Sequence, residues 1–142
     1  METDDQIRNI FKASRTIAVY GMSRNMQKSS NWISVFFLSR NYEIVPINPY
    51  ADHIKGLRSY SGIKEILDRI GILVVFRPEQ EAEAIARTAV ERRREKGDID
   101  VIWLQEGKND AAAKIAETEG ILFIQGRCMY REYQRLVEKN RS

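Results

Sequence analysis

The chain has 142 residues, 43% of them hydrophobic, and its 23 lysines and arginines set against 20 acids leave a net charge of +3. That length and apolar content suit a single domain with one core, and no run approaches the roughly 18 apolar residues of a membrane span. One cysteine rules out an internal disulfide, one histidine beside it argues against a zinc centre, and no stripe of alternating basic and aromatic residues points to nucleic acid.

The chain opens with "METDDQIRNIF", which is acidic and lacks the apolar stretch of a signal peptide; a soluble cytoplasmic protein is the default expectation. Five short apolar runs follow: Arg15–Gly21, Tyr42–Asn48, Gly71–Arg77, Ile99–Gln105 and Ile121–Gln125. Their near-continuous valine and isoleucine content predicts strands buried on both faces, as in a parallel sheet. Helical patterns lie between them. After Ser30, an N-cap candidate, Trp32, Ile33, Phe36 and Phe37 recur at helical spacing. From Glu79 to Lys96, Ala82, Ile85, Ala86, Ala89 and Val90 form one apolar face, with Arg92, Arg93, Arg94 and Lys96 near the negative end before Gly97. A short helix capped by Asn109 or Asp110 stops at Gly120, and a last one spans about Tyr130 to Lys139. Strands alternating with helices predict βαβ units, hence a single α/β domain: a doubly wound, Rossmann-like sheet of about five parallel strands with helices on both faces.

In such sheets, ligands bind beyond the carboxyl ends of the strands, where strand order reverses. The first strand ends at Gly21, and the loop Met22–Ser29 follows it. A glycine there lets backbone approach a phosphate, and the amides opening the next helix face the anion. Ser23, Ser29 and Ser30 can add hydroxyls, and Arg24 and Lys28 can add charge. The bland alternative is a solvated loop before a capped helix. A dinucleotide fingerprint needs glycines at the first, third and sixth places of this turn, which hold Gly21, Ser23 and Met26. It also needs an acid at the end of the second strand, where Asn48 stands. Two requirements for NAD fail together. A nucleotide with an extra ribose phosphate, coenzyme A or NADP, would gain from the missing acid, and the loop disfavours NADP.

The ordered motifs "IAVYGMS", "VPINP" followed by Ile54, Gly56 and Tyr60, "VVFRPE", "VIWLQEG" and "RCMYREYQRL" resemble those of the small stand-alone CoA-binding proteins. Those proteins are related to the CoA-binding domain of the succinyl-CoA synthetase alpha subunit and of ADP-forming acyl-CoA synthetases. The resemblance covers about Ile7 to Leu136. It implies a Rossmann-like fold that binds coenzyme A or an acyl-CoA, with Gly21, Met22, Ser23, Arg24, Lys28 and Ser29 forming the turn and loop that cradle the pyrophosphate. By the same resemblance Asn48 and Pro49 border the adenosine and Ile54 packs on the adenine. Phe76 and Arg77 then line the pocket floor, and the pantetheine arm leaves past Trp103, Leu104 and Gln105.

Other residues read more simply. His53 is a surface histidine outside any catalytic set, and Trp103 belongs to the core. Cys128, beside Arg127, is a packed thiol whose alternative is a mixed disulfide with the CoA thiol. Arg127, Arg131, Arg135 and Lys139 recur every four residues and predict a solvated basic row on the last helix. No catalytic constellation can be assembled, so a non-catalytic carrier, sensor or regulatory module is expected. The alternatives are an NADP-dependent oxidoreductase, or the CoA-binding half of an acyl-CoA ligase whose ATP-grasp subunit is a separate chain. A homo-oligomer and a ligase partner subunit both stay open.

Overall fold

Every predicted strand run forms a strand, and two short ones join them. In the computed structural model, which describes residues 2–139, the strands are β1 (Thr16–Tyr20), β2 (Glu43–Ile47), β3 (His53–Ile54), β4 (Leu57–Arg58), β5 (Ile72–Val75), β6 (Val101–Leu104) and β7 (Leu122–Ile124). The helices are α1 (Asp4–Ala13), α2 (Ser29–Leu38), α3 (Ala82–Lys96), α4 (Asp110–Thr118) and α5 (Met129–Tyr133). Five strands make one sheet in the order β2-β1-β5-β6-β7, all pairings parallel. The chain steps outward from β1 to β2, then crosses back to β5 on the other side of β1. The reversal therefore lies between β1 and β5, where such folds leave a crevice. The unexpected pair β3–β4 is a separate antiparallel ribbon.

Alternation along the strands divides the core into two layers. Ala18, Val45, Leu73, Val75 and Ile102 face α3 and α4, where alanines let those helices approach closely. Ile17, Val19, Ile72, Val74 and Trp103 face α1, α2 and α5. There Phe11, Phe37 and Tyr133 meet at ring distances of 5.1 to 6.1 Å, within the range of favourable aromatic pairs.

The structure differs from the sequence expectation at several places. The N-terminal segment is a helix, α1, whose Thr3 and Gln6 form a reciprocal capping box. Ser30 does not cap α2; Lys28 holds the cap position and Ser30 is the second helical residue. The last helix widens after Tyr133 into a π-helical turn, Gln134–Glu138, which breaks the four-residue spacing of the expected basic row. Arg127 precedes that helix and pairs with Glu132, and Arg135 pairs with both Glu132 and Asp4.

Arg92 stands near the negative end of α3, as expected, and is buried there. Its guanidinium meets the buried Asp98 carboxylate at 2.9 Å and donates to the carbonyls of Ile63, Ile66 and Asp68. Asp98 also accepts the Ile70 amide at 2.9 Å. One ion pair thus pins the crossover from β4 to β5. Burial raises the Asp98 carboxyl; the Arg92 and Ile70 hydrogen bonds and the nearby positive charges outweigh it and hold the carboxyl below its ordinary range. A depressed folded-state pKa stabilises at pH above the unfolded value, about 4, and that contribution fades as pH falls through the folded pKa. Asp98→Asn leaves the Arg92 charge buried without its partner and should cost about 3–5 kcal/mol in urea unfolding near pH 7. The difference from the wild type should shrink below about pH 4.

Candidate functional site

β1 ends at Tyr20, and Gly21 turns the chain with φ +87°. Its amide donates to the Ile47 carbonyl at 3.0 Å, tying the ends of β1 and β2 together. A Cβ here would stand 2.9 Å from both the Phe76 carbonyl oxygen and Arg77 Cδ. Glycine is required twice over, by backbone conformation and by the chain of β5 lying against it.

The loop after Gly21 is held by its own polar groups. Met22 is buried in the core beneath it. The Ser23 amide donates to Ser30 Oγ at 2.9 Å, and the Ser23 carbonyl accepts from Asn31 Nδ2 at 2.8 Å. Ser23 Oγ accepts the Asn25 amide, and Asn25 Oδ1 accepts that of Gln27. From the β2 side, Asn48 Nδ2 donates to the Met22 carbonyl at 3.0 Å while its Oδ1 accepts the Tyr50 amide. Asn48 is therefore a brace between two loops. This network does the ordering that further glycines and tight turns do in a dinucleotide fingerprint.

Thr3 caps α1 and Asn109 caps α4 through side-chain oxygens, whereas α2, α3 and α5 have no side-chain cap. Of these three, α3 and α5 carry an acid in the first turn, and α2 carries none. The amides of Ser29 and Ser30 make no hydrogen bond among the described residues. Open donors and an uncompensated positive helix end face a cavity of about 690 Å³ bordered by Gly21, Lys28, Phe76, Gln105 and Gly107. A second cavity of about 410 Å³ lies toward β2, between Met22, Asn48, Pro49, Tyr50, Ser61 and Glu81. Gly21, Ser23 and Arg77 border both, so the two are lobes of one cleft over the β1–β5 reversal.

Arg77 divides the lobes. Its aliphatic stem lies over Gly21, and its guanidinium grips Glu81 with Nε at 3.2 Å and a terminal nitrogen at 2.7 Å. The pairing holds Glu81 below the ordinary carboxylate range and Arg77 above its own.

The structure thus brings Gly21, Met22, Ser23, Lys28, Ser29, Asn48, Pro49, Phe76, Arg77 and Gln105 to the cleft. Arg24 is exposed on the loop and borders neither lobe, and Ile54 is buried in the layer shared with α2. Gln105 borders the larger lobe, but its amide is engaged elsewhere: Nε2 donates to Cys128 Sγ at 3.0 Å and Oε1 accepts the Met129 amide. Cys128 is half-buried behind it. Trp103 is fully buried, with Nε1 donating to the Arg127 carbonyl, and His53 is exposed on β3. Sequence reasoning missed Glu79, Glu81 and Glu106, acids of the β5–α3 and β6–α4 connections that border the cleft. Their position just past the strand ends is the signal that could have found them. Among the described residues, no group of three or more histidine, cysteine or acidic side chains could hold a metal, and no helix is long and apolar enough to cross a membrane.

Residues 15–134 match the family model described as the CoA binding domain. The chain belongs to that family. It is 31% identical over 125 residues to the uncharacterized protein YneT of Bacillus subtilis, covering 87% of this chain and 89% of the relative. Among solved structures, a hypothetical protein from Pyrococcus horikoshii is similar at 28% identity with a TM-score of 0.87, over 96% of this chain and 93% of that one. A dinucleotide-forming acetyl-coenzyme A synthetase from Candidatus Korarchaeum cryptofilum shares the fold at 20% identity and a TM-score of 0.66. The match spans 77% of this chain but only 25% of the synthetase.

Gly21→Ala forces a side chain into a left-handed turn and against β5. It should lower stability by about 1–3 kcal/mol in thermal or urea unfolding, with Gly56→Ala as the control. Gly56 also has positive φ but has open space around its would-be Cβ, so its loss should be the smaller.

Proposed function

We propose that this member of the CoA binding domain family binds coenzyme A or an acyl-CoA in the two-lobed cleft, as a carrier, sensor or regulatory module. The observation that carries the proposal is the uncapped start of α2, which opens on a crevice divided at Gly21. A diphosphate placed there would receive the Ser29 and Ser30 amides and the Ser30 hydroxyl, with Lys28 beside it. The smaller lobe, with Asn48, Pro49 and Tyr50 at its rim, then takes the adenosine. The larger lobe takes the pantetheine arm along Phe76 and past Gln105. Anion binding would supply the cap that the sequence withholds from α2.

The cleft makes the role of Lys28 specific. Lys28 borders the larger lobe and not the smaller one, so its charge serves the diphosphate rather than a ribose phosphate. Calorimetry should show CoA binding more tightly than NAD or NADP. Lys28→Gln should weaken CoA and dephospho-CoA to the same extent, about tenfold. Tighter binding of a nicotinamide cofactor would overturn the proposal. A loss confined to CoA would move Lys28 to the 3′-phosphate.

Glu81 holds Nε and one terminal nitrogen of Arg77 and competes with the ligand for its charge. An exposed pair four residues apart is weak, so a phosphate can displace the carboxylate readily. Removing the internal competitor with Glu81→Gln should tighten CoA binding about threefold, and Arg77→Gln should abolish that gain in the double variant. An unchanged affinity in Glu81→Gln would show that Arg77 does not change partners.

A further inference from the structure

The larger lobe is electrically lopsided. Its cations stand on the side of Gly21: Lys28 at the start of α2, and Arg77, whose side chain turns across Gly21 toward Glu81. The opposite wall, built from the β5–α3 and β6–α4 connections, carries Glu79 and Glu106. Glu79 fastens these connections together. Its carboxylate accepts the Lys108 amide at 2.8 Å, and its carbonyl accepts Asn109 Nδ2 at 2.7 Å. Between the two acids sits Gly107, with φ +77°, whose would-be Cβ runs into the Glu79 side chain. Lys108 does not neutralise this wall. Its side chain packs toward Gly126, and it does not border the lobe. Neither carboxylate has an ion-pair partner among the described residues.

A CoA molecule with its adenosine in the smaller lobe and its diphosphate at α2 has only the larger lobe left for its thiol arm. The arm then runs toward Glu79 and Glu106. Resting on the proposed CoA site, we infer that these two carboxylates select the acyl group by charge. The site accepts free CoA and thioesters of uncharged acids, and disfavours thioesters of dicarboxylic acids. A free carboxylate at the end of the acyl chain would meet two like charges in a partly enclosed cleft.

Calorimetric titration with CoA, acetyl-CoA and succinyl-CoA tests this. Acetyl-CoA should bind within about twofold of CoA, and succinyl-CoA about tenfold more weakly than acetyl-CoA, a gap that narrows as salt is raised. Glu106→Gln should close most of the gap by improving succinyl-CoA. Glu79→Gln, which keeps an acceptor for the Lys108 amide, should do so in part, and thermal unfolding of both variants reports that the fold is retained. Equal wild-type affinity for the acetyl and succinyl thioesters would overturn the inference and leave the CoA site standing, as would a gap that persists in the Glu79→Gln, Glu106→Gln double variant. Failure of all three ligands to bind would overturn the CoA reading itself and this inference with it.

Discussion

The contact on which the site depends is the close approach of two chains at Gly21. β1 and β5 are neighbours in the sheet although the chain visits β2 between them, and their carboxyl ends diverge into connections on opposite faces. At Gly21 these paths come so near that the Phe76 carbonyl and the Arg77 stem occupy the space of a side chain. The bend also hands the Gly21 amide to Ile47, so three strand ends are fixed by one residue. Both lobes of the cleft take their floor from that point, and both would be reshaped by a bulkier residue.

Around this fixed point the polar groups divide into those already satisfied and those left open. Asn48, Ser23, Asn25 and Asn31 spend their hydrogen bonds on the loop itself. They order the backbone before any ligand arrives, which lowers the entropy that binding must overcome. The Ser29 and Ser30 amides, Lys28 and the Arg77–Glu81 pair are the groups with capacity to respond. A hydrogen-bonded loop before an uncapped helix differs from a mobile phosphate loop: an anion bound there would complete a helix end that is already in place.

The sheet was legible in the sequence because buried parallel strands leave a strong signature: five runs of valine and isoleucine, each becoming a strand slightly shorter than the run. Gly21 and the loop were legible for the same reason, since a strand followed by a polar loop and a helix has a known place in this architecture. α1 was missed although its capping box, Thr3 with Gln6, is visible in the sequence; with only Ile7, Ile10 and Phe11 among polar residues, its apolar face is a weak periodic signal. Arg92 was legible as a charge near a helix end, but its burial was not, because it depends on the tertiary position of Asp98 and of three backbone carbonyls. Asn48 showed itself as a missing acid, but its bracing role depends on the distance between two loops that sequence spacing does not report. Glu79, Glu81 and Glu106 were hidden because acids after a strand are common, and their meaning arises only when separate connections close around one cavity.

The acids also refine the case against a dinucleotide. The absence of an acid at the end of β2 is a statement about one strand, whereas the field in the smaller lobe comes from every element around it. Glu81, reaching in from the end of the β5–α3 connection, places a carboxylate at the smaller lobe after all. It does so bound to Arg77, so the pair presents a neutral surface until an anion separates it. A free acid at the end of β2 would hold ribose hydroxyls and repel phosphate permanently. A paired acid such as Glu81 instead repels weakly and leaves its partner able to meet an incoming anion.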